Sequence, residues 1–302
     1  MARWSVTVSV LQSFRRSGRA LAALLTLAVF CLSVAPATAA DEERTALQKI
    51  RGAGIIKVAF YKDFPPFSDN GDGKYSDPGK GIDVDLADAL AEKLGVKVSP
   101  LWFDADEFMH KDFRWMLVSG HPLGFGPADV MMHVPVDNEF MKMVKQVEIF
   151  APYHRERFAI GRLLEKIPTL DNLEPFEKLP IATEDGTMGQ QVMVSADNRK
   201  YINNVKLFRY AHQAIAALKS GAVPAAMAQE GELEGALSND PRFAIEQAPN
   251  PLLKMRQWPI GLAVKAGNKD LAMALQKAMN ELMEDGTVAN IKQRHGVKNR
   301  KP

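Results

Sequence analysis

The chain of 302 residues contains one cysteine, Cys31, within its first forty residues. From about Ala40 onward there is no thiol. That excludes disulfides, a Cys-ligated zinc site and a nucleophilic cysteine from the rest of the chain. Also lacking there are a 20-residue apolar run, an internal repeat and a low-complexity tract. An excess charge of one sign is missing too. Of the 38 Lys and Arg, four (Arg3, Arg15, Arg16 and Arg19) lie in the first forty residues, leaving 34 against 36 acidic residues. A surface so near neutrality gives no reason to invoke nucleic acid or a polybasic membrane contact.

What is present begins with a leader. Arg15, Arg16 and Arg19 precede an apolar run from Leu21 to Val34, and "APATAA" follows with Ala37 and Ala39 in an A-x-A pattern. This reads as a secretory signal peptide over residues 1–39, removed from the mature chain. Its apolar core is too short to span a bilayer comfortably. Phe30 is too large for a lipoprotein processing site ahead of Cys31, so the expected product is unanchored and periplasmic. Removing 39 of 302 residues leaves about 263, enough for a self-sufficient core and for two lobes.

The mature chain alternates strand-like and helix-like segments. "IIKVAFY" is β-rich and ends at "KDFPPF"; a Gly/Asp/Pro-rich loop, "SDNGDGKYSDPGKG", follows. Ile82, Val84, Leu86, Leu90 and Leu94 suit an amphipathic helix that stops at Gly95. "VKVSPLWF" and "ADVMMHV" read as strands flanking a helical stretch through Phe108, Phe113, Met116 and Leu117. After "APYHRERFAIGR" the rhythm restarts: strand "LPIATEDG", a helix from near Thr187, strand "VKLFRY", helix "AHQAIAALKSG", strand "VPAAMAQ" and helix "GELEGALSND". The extended "WPIGLAVKAGN" and two helices close the chain. Two such units predict an α/β protein of two lobes with a cleft between them, where small ligands bind at the carboxyl ends of strands.

In this order, "IIKVAFYKDFPPFSDNG", "GIDVDLADALAEKLGV", "ADVMM", "PY" at Pro152–Tyr153, "LPIATEDGT", "AIAALKSGAV" and "IGLAVKAGNKDLAMALQKAMNELMEDGTVANIKQRHG" resemble the periplasmic solute-binding proteins of ABC transporters, family 3, polar amino-acid type. The resemblance implies a two-lobe periplasmic binding protein of type II. Each lobe would be a mainly parallel sheet flanked by helices, with a hinge between them. Lobe 1 would comprise 41–154 plus 259–302 and lobe 2 would comprise 155–258, with crossings near Pro152–Arg157 and Gln257–Pro259. It further implies a monomer that closes on a small-molecule solute and delivers it to a membrane ABC permease.

The pattern departs from that family at two charged positions. Its α-amino-acid binders hold the ligand carboxylate with an arginine a few residues beyond the "DVMM" strand. Here that stretch is "VPVDNEFMKMVKQ", with Met141–Met143 in the place of the arginine and Lys142 the nearest cation. They also place an aspartate after the "GxVDAVVxD" strand for the ligand ammonium; here "GAVPAAMAQE" has Pro224 and Gln229 at the two aspartate positions. A non-amino-acid solute is therefore expected. The ligand-binding residues expected from the resemblance are Tyr61, Phe64, Trp102, Phe103, His133 and Val134 in lobe 1, with Thr187, Met188 and Gln229 in lobe 2. Phe64 is the aromatic platform, Phe67 is expected to pack beneath the loop, and Thr187 opens a helix N-terminus that presents backbone N–H groups. "ADVMMHVPVDNEF…APYHRERFAI" is also similar to a branch associated with periplasmic quinoprotein (methanol-type) dehydrogenases. That similarity raises an accessory role for such a dehydrogenase, with a modified or vestigial cleft.

His133, before Pro135 at the end of an apolar strand, is a ligand-contacting candidate; the alternative is a histidine bonded within the hinge region. Met109, His110, His121, Met131, Met132 and His133 form no metal-binding motif. Met131 and Met132 should point to opposite sheet faces, and methionine commonly fills core gaps. "DNGDG" lacks the alternating ligands and terminal glutamate of a calcium loop. No catalytic set assembles: there is no G-x-S-x-G and no paired acid–base motif. The expectation is a binding protein, not an enzyme, with no cofactor and no metal.

Overall fold

Thr45 opens the first helix. Its hydroxyl accepts from the Gln48 N–H while the Gln48 side chain accepts from the Thr45 N–H, a capping box that starts α1 (Ala46–Ala53). Gly54, at φ +69°, ends it. The computed structural model of the protein describes residues 44–71, 78–106, 108–248 and 257–302. The expected signal peptide at 1–39, residues 72–77 of the Gly/Asp/Pro-rich loop and residues 249–256 beside the second expected crossing lie outside the described residues.

The chain continues as β1 (Ile55–Tyr61), α2 (Ile82–Leu94), β2 (Lys97–Phe103), α3 (Met109–Phe113) running into a π-helical turn (Arg114–Val118), β3 (Val130–Pro135), α4 (Asn138–Met143) and β4 (Val147–Glu156). Then come β5 (Phe158–Leu163), β6 (Ile181–Glu184), α5 (Met188–Arg199), β7 (Val205–Phe208), α6 (Ala211–Lys219), β8 (Ala225–Gln229), α7 (Glu230–Leu237) and β9 (Phe243–Gln247). The chain closes with β10 (Trp258–Lys265), α8 (Lys269–Glu284) and α9 (Thr287–Arg294).

The strands form two five-stranded sheets, ordered β2-β1-β3-β10-β4 and β7-β6-β8-β5-β9. In the first, β1 lies parallel to β2 and β3, while β10 runs antiparallel to β3 and β4. The second repeats the plan: β6 is parallel to β7 and β8, and β5 antiparallel to β8 and β9. Each sheet is therefore mixed. Its βαβ half is parallel, as helical crossovers require, and the antiparallel half comes from strands that travel between sheets. β4 leaves the first sheet at Glu156, and β5 enters the second at Phe158.

Each sheet buries both faces. One face of the first packs on α2, α8 and α9 through Leu86, Leu90, Leu275, Met279 and Ile291; the other packs on the end of α3 and the π-helical turn through Phe113 and Leu117, against Met131 and Val134 of β3. Met132 belongs to the first of these cores and Met131 to the second, as strand alternation requires. The second sheet has Val192, Met193 and Phe176 on one face and Ile215, Leu218, Leu233 and Leu237 on the other. Trp258 packs against a core of each sheet. No helix among the described residues is long and apolar enough to cross a membrane.

Candidate functional site

The site is built from the turn after β1. The free N–H groups at the start of α2 grip it: Ile82 donates to the Pro66 carbonyl and Asp83 to the Phe67 carbonyl, each at 2.9 Å. Gly81, at φ +130°, permits this approach, because a Cβ there would fall 2.2 Å from the Phe67 carbonyl oxygen. The pinned turn presents Phe64, half-buried, and Phe67, fully buried. Their rings stack with centroids 5.1 Å apart.

His133 meets both rings edge-on, 4.7 Å from Phe64 and 4.4 Å from Phe67. Its backbone sits at φ +59°, uncommon for a non-glycine residue and a mark of a constrained position. Nδ1 lies 3.0 Å from Asp83 Oδ2, and the Tyr153 hydroxyl donates to Asp83 Oδ1 at 2.5 Å. Facing a carboxyl oxygen, Nδ1 is the ring nitrogen placed to donate. Nε2, buried, has no partner among the described residues. Burial first, and then the Asp83 charge, raises the Tyr153 phenol well above its ordinary value and keeps its proton in place. The result is an oriented imidazole beneath two aromatic rings.

A second buried pair lies on β4. His154 Nε2 is 3.3 Å from Glu156 Oε2, and both side chains are fully buried. Burial lowers the His154 pKa. Burial alone would raise Glu156, but His154, the Arg157 N–H and Arg300 outweigh it and hold the carboxylate below its ordinary range. Glu156 also accepts the Gly231 N–H at the start of α7, so a residue of the first sheet's last strand caps a helix of the second unit.

The expected residues divide into groups. Tyr61, Phe64, Phe103 and His133 form one aromatic cluster, with Tyr61 4.5 Å from Phe103 and 6.5 Å from Phe64. The Tyr61 hydroxyl donates to Asp112. Trp102 lies on the opposite face of β2, fully buried against Phe60, and Val134 is fully buried in the core beside Met131. Thr187 caps α5, accepting from Gln190 and donating to the Glu184 carbonyl, while Met188 stays exposed. Gln229 precedes α7; the Glu232 carboxylate accepts its N–H at 3.3 Å, and Gln229 Oε1 has no partner among the described residues. In α4, Lys142 is exposed and pairs with Glu139 at 2.7 Å.

Sequence reasoning passed over Asp83, His154, Glu156, Glu184 and Glu232. The signal for Asp83 was a carboxylate opening an apolar helix in "GIDVDL". Burial raises Glu184 to about 7; burial, then Glu184 and Glu156, raises Glu232 well above its ordinary value. Asp112, also buried, rises to about 7. These folded-state carboxyls keep protons that the unfolded chain releases near pH 4–5. For Glu184 and Asp112 the contribution to stability is therefore full at low pH and is lost as pH rises toward about 7. Glu184→Gln is expected to lose less melting temperature than the parent between about pH 5 and pH 8; identical pH profiles would contradict this burial account.

The turn also reaches the second unit. A cavity of about 210 Å³ lies beside Pro65 and Pro66 and is walled by α6 and α7 residues including His212, Ile215, Glu232 and Gly235. His212 Nδ1 is 3.2 Å from the Asp63 carbonyl oxygen. Among the described residues no group of three or more His, Cys, Asp or Glu side chains is placed to hold a metal ion.

Comparison with solved structures identifies the architecture. An ancestral cationic amino-acid solute-binding protein superposes with a TM-score of 0.63 at 20% identity, over 83% of this chain and 99% of that one. An amino-acid ABC transporter substrate-binding protein from Streptococcus pneumoniae bound to L-arginine gives 0.61 at 20% identity, over 84% and 98%. An ancestral arginine-binding protein bound to glutamine gives 0.53 at 26% identity, over 80% and 97%. The protein has the two-lobe fold of the solute-binding proteins of amino-acid ABC transporters. No family model matches the chain. Among curated sequences, cyclohexadienyl dehydratase of Pseudomonas aeruginosa is 34% identical over 88 residues, a stretch spanning 29% of this chain and 28% of that protein.

Proposed function

We propose that the protein is a periplasmic solute-binding protein, exported by residues 1–39, which closes two lobes (41–154 plus 259–302, and 155–258) on a small non-amino-acid solute for an ABC permease. The observation that carries this reading is the replacement of the charged groups expected to clamp a zwitterion. Lys142, the nearest cation to the place the resemblance implies for the carboxylate-binding arginine, is exposed and tied to Glu139, and Gln229 stands where the resemblance implies an aspartate. What remains of the expected site is the Phe64 ring and the oriented His133 imidazole. Such a wall suits a flat or apolar solute with one hydrogen-bonding group.

A thermal-shift screen of the mature protein tests it, with amino acids, organic acids, amines, alcohol-oxidation products, cofactor fragments and metal ions. A solute that binds the folded state must raise the melting temperature by mass action. Phe64→Ala is expected to weaken a hit at least about tenfold while the chain stays folded. Unchanged affinity would move the pocket elsewhere. A hit confined to α-amino acids would overturn the substrate class.

A second reading is an accessory protein of a periplasmic quinoprotein dehydrogenase. It is favoured by the way Pro66 and Phe67 pack directly onto α7 and fill part of the space between the lobes with the protein's own side chains. Silence across the screen from a folded protein, with a stable complex formed with such a dehydrogenase, would support it.

A further inference from the structure

The carboxyl-terminal residues do not end on the lobe that carries them. α9 and Val297 are rooted in the first sheet's core, through Val288, Ile291 and Val297 itself. Beyond them the chain lies on α7, which follows β8 of the second sheet. Arg300 sets its guanidinium on Glu234 in a two-point pair, Nη1 to Oε1 at 2.8 Å and Nη2 to Oε2 at 2.9 Å; Nη1 is also 3.2 Å from Glu230. The Lys298 N–H donates to Glu234 Oε2 at 3.0 Å, and the Ser238 hydroxyl donates to the Gly296 carbonyl at 3.2 Å.

The same segment is held from the other side. Lys292, fully buried, donates from Nζ to the Tyr153 carbonyl at 2.7 Å, to Asn299 Oδ1 at 3.2 Å and to the Arg300 carbonyl at 3.3 Å. Arg155, two residues before the crossing at Arg157, exchanges bonds with the tail: its Nε donates to the Lys301 carbonyl and its carbonyl accepts from Arg300 Nε, each at 3.2 Å. The Glu234 side chain is 1% exposed. A charge pair so desolvated differs from a surface bridge, because breaking it strands a buried carboxylate.

We infer that residues 296–301 are a latch, a third and non-covalent crossing between the lobes that sets their balance between closed and separated arrangements. The inference rests on the proposed closing motion. Rotation about the covalent crossings moves α7 against α9, and the tail spans that joint, so the lobes separate only as the Arg300–Glu234 pair lets go. None of the latch residues is among the expected ligand contacts, so the latch biases closure without touching solute.

The mature chain has no cysteine, so spin labels placed through Leu207→Cys on the second lobe and Met273→Cys on the first, both exposed, report one interlobe distance. Pulsed dipolar spectroscopy of this pair is expected to give a single narrow distribution. Arg300→Gln or Glu234→Gln should add a longer-distance population, raising the ratio of separated to closed molecules at least about tenfold. Arg300→Lys keeps the charge and one bond, and is expected to shift the ratio less, in the same direction. An unchanged distribution in folded Arg300→Gln and Arg300→Lys would overturn the latch, even if the melting temperature fell. A solute from the screen that leaves the parent distance and its width unchanged, and does not reverse the shift in Arg300→Gln, would count against the closing motion itself.

Discussion

Asp83→Ala is expected to destabilise the protein by about 3–5 kcal/mol. For a folded unit of this size that lowers the melting temperature by roughly 6–20 °C. Asp83 is fully buried in the first turn of α2 and accepts from two buried donors, the Tyr153 hydroxyl at 2.5 Å and His133 Nδ1 at 3.0 Å. Removing the carboxylate orphans both, and each buried group left without a partner costs about 1–3 kcal/mol. It also takes a negative charge from a helix N-terminus. Asp83→Asn should be milder, because the amide oxygen still accepts from Tyr153 while its NH2 can donate to Nδ1 and drive the His133 proton to Nε2. Urea unfolding of the three proteins distinguishes the cases. A loss below about 1 kcal/mol for Asp83→Ala would mean that the cluster relaxes freely.

That cluster marks where reading the sequence stops. The lobes were legible because a βαβ rhythm that restarts after Arg162 is a statement about apolar spacing, and apolar spacing is local. Thr187 was legible as a helix start for the same reason. The partnership of Asp83 with His133 and Tyr153 was not, since these two lie 50 and 70 positions from the aspartate and only the sheet order joins them. Trp102 and Phe103 illustrate the finer limit: the strand was evident, but which of two neighbouring rings faces which core depends on register against β1, and that register sets Trp102 on Phe60 and Phe103 beside Tyr61. The capping box at Thr45–Gln48 was available in "TALQ" and went unread. The mixed sheets follow from β5 and β10, whose direction is set by crossing between lobes, a property no single segment carries.

Two glycines of α7 give the other large effect. Gly231 and Gly235 occupy an eight-residue helix, where each costs about 1 kcal/mol against alanine, so their presence calls for a compensating contact. They lie one turn apart and receive the β1 turn. A Cβ on Gly231 would fall 2.5 Å from Phe67 Cζ and 2.8 Å from Glu156 Oε2; one on Gly235 would fall 2.6 Å from Pro66 Cγ. Phe67 has no room to swing, being enclosed by Phe64, His133 and His154. Gly231→Val is therefore expected to cost at least the roughly 1–3 kcal/mol of an overpacked core, plus the helix's loss of its cap from Glu156. It should also wedge the lobes apart, raising the radius of gyration in solution scattering. Phe67→Ala alone should be destabilising by about 3–5 kcal/mol through the cavity it leaves. Combined with Gly231→Val, its cost should fall well short of the sum, because the valine enters the space the ring vacates. Strict additivity, within about 0.5 kcal/mol, would show that the two residues do not meet and that the lobes are joined elsewhere.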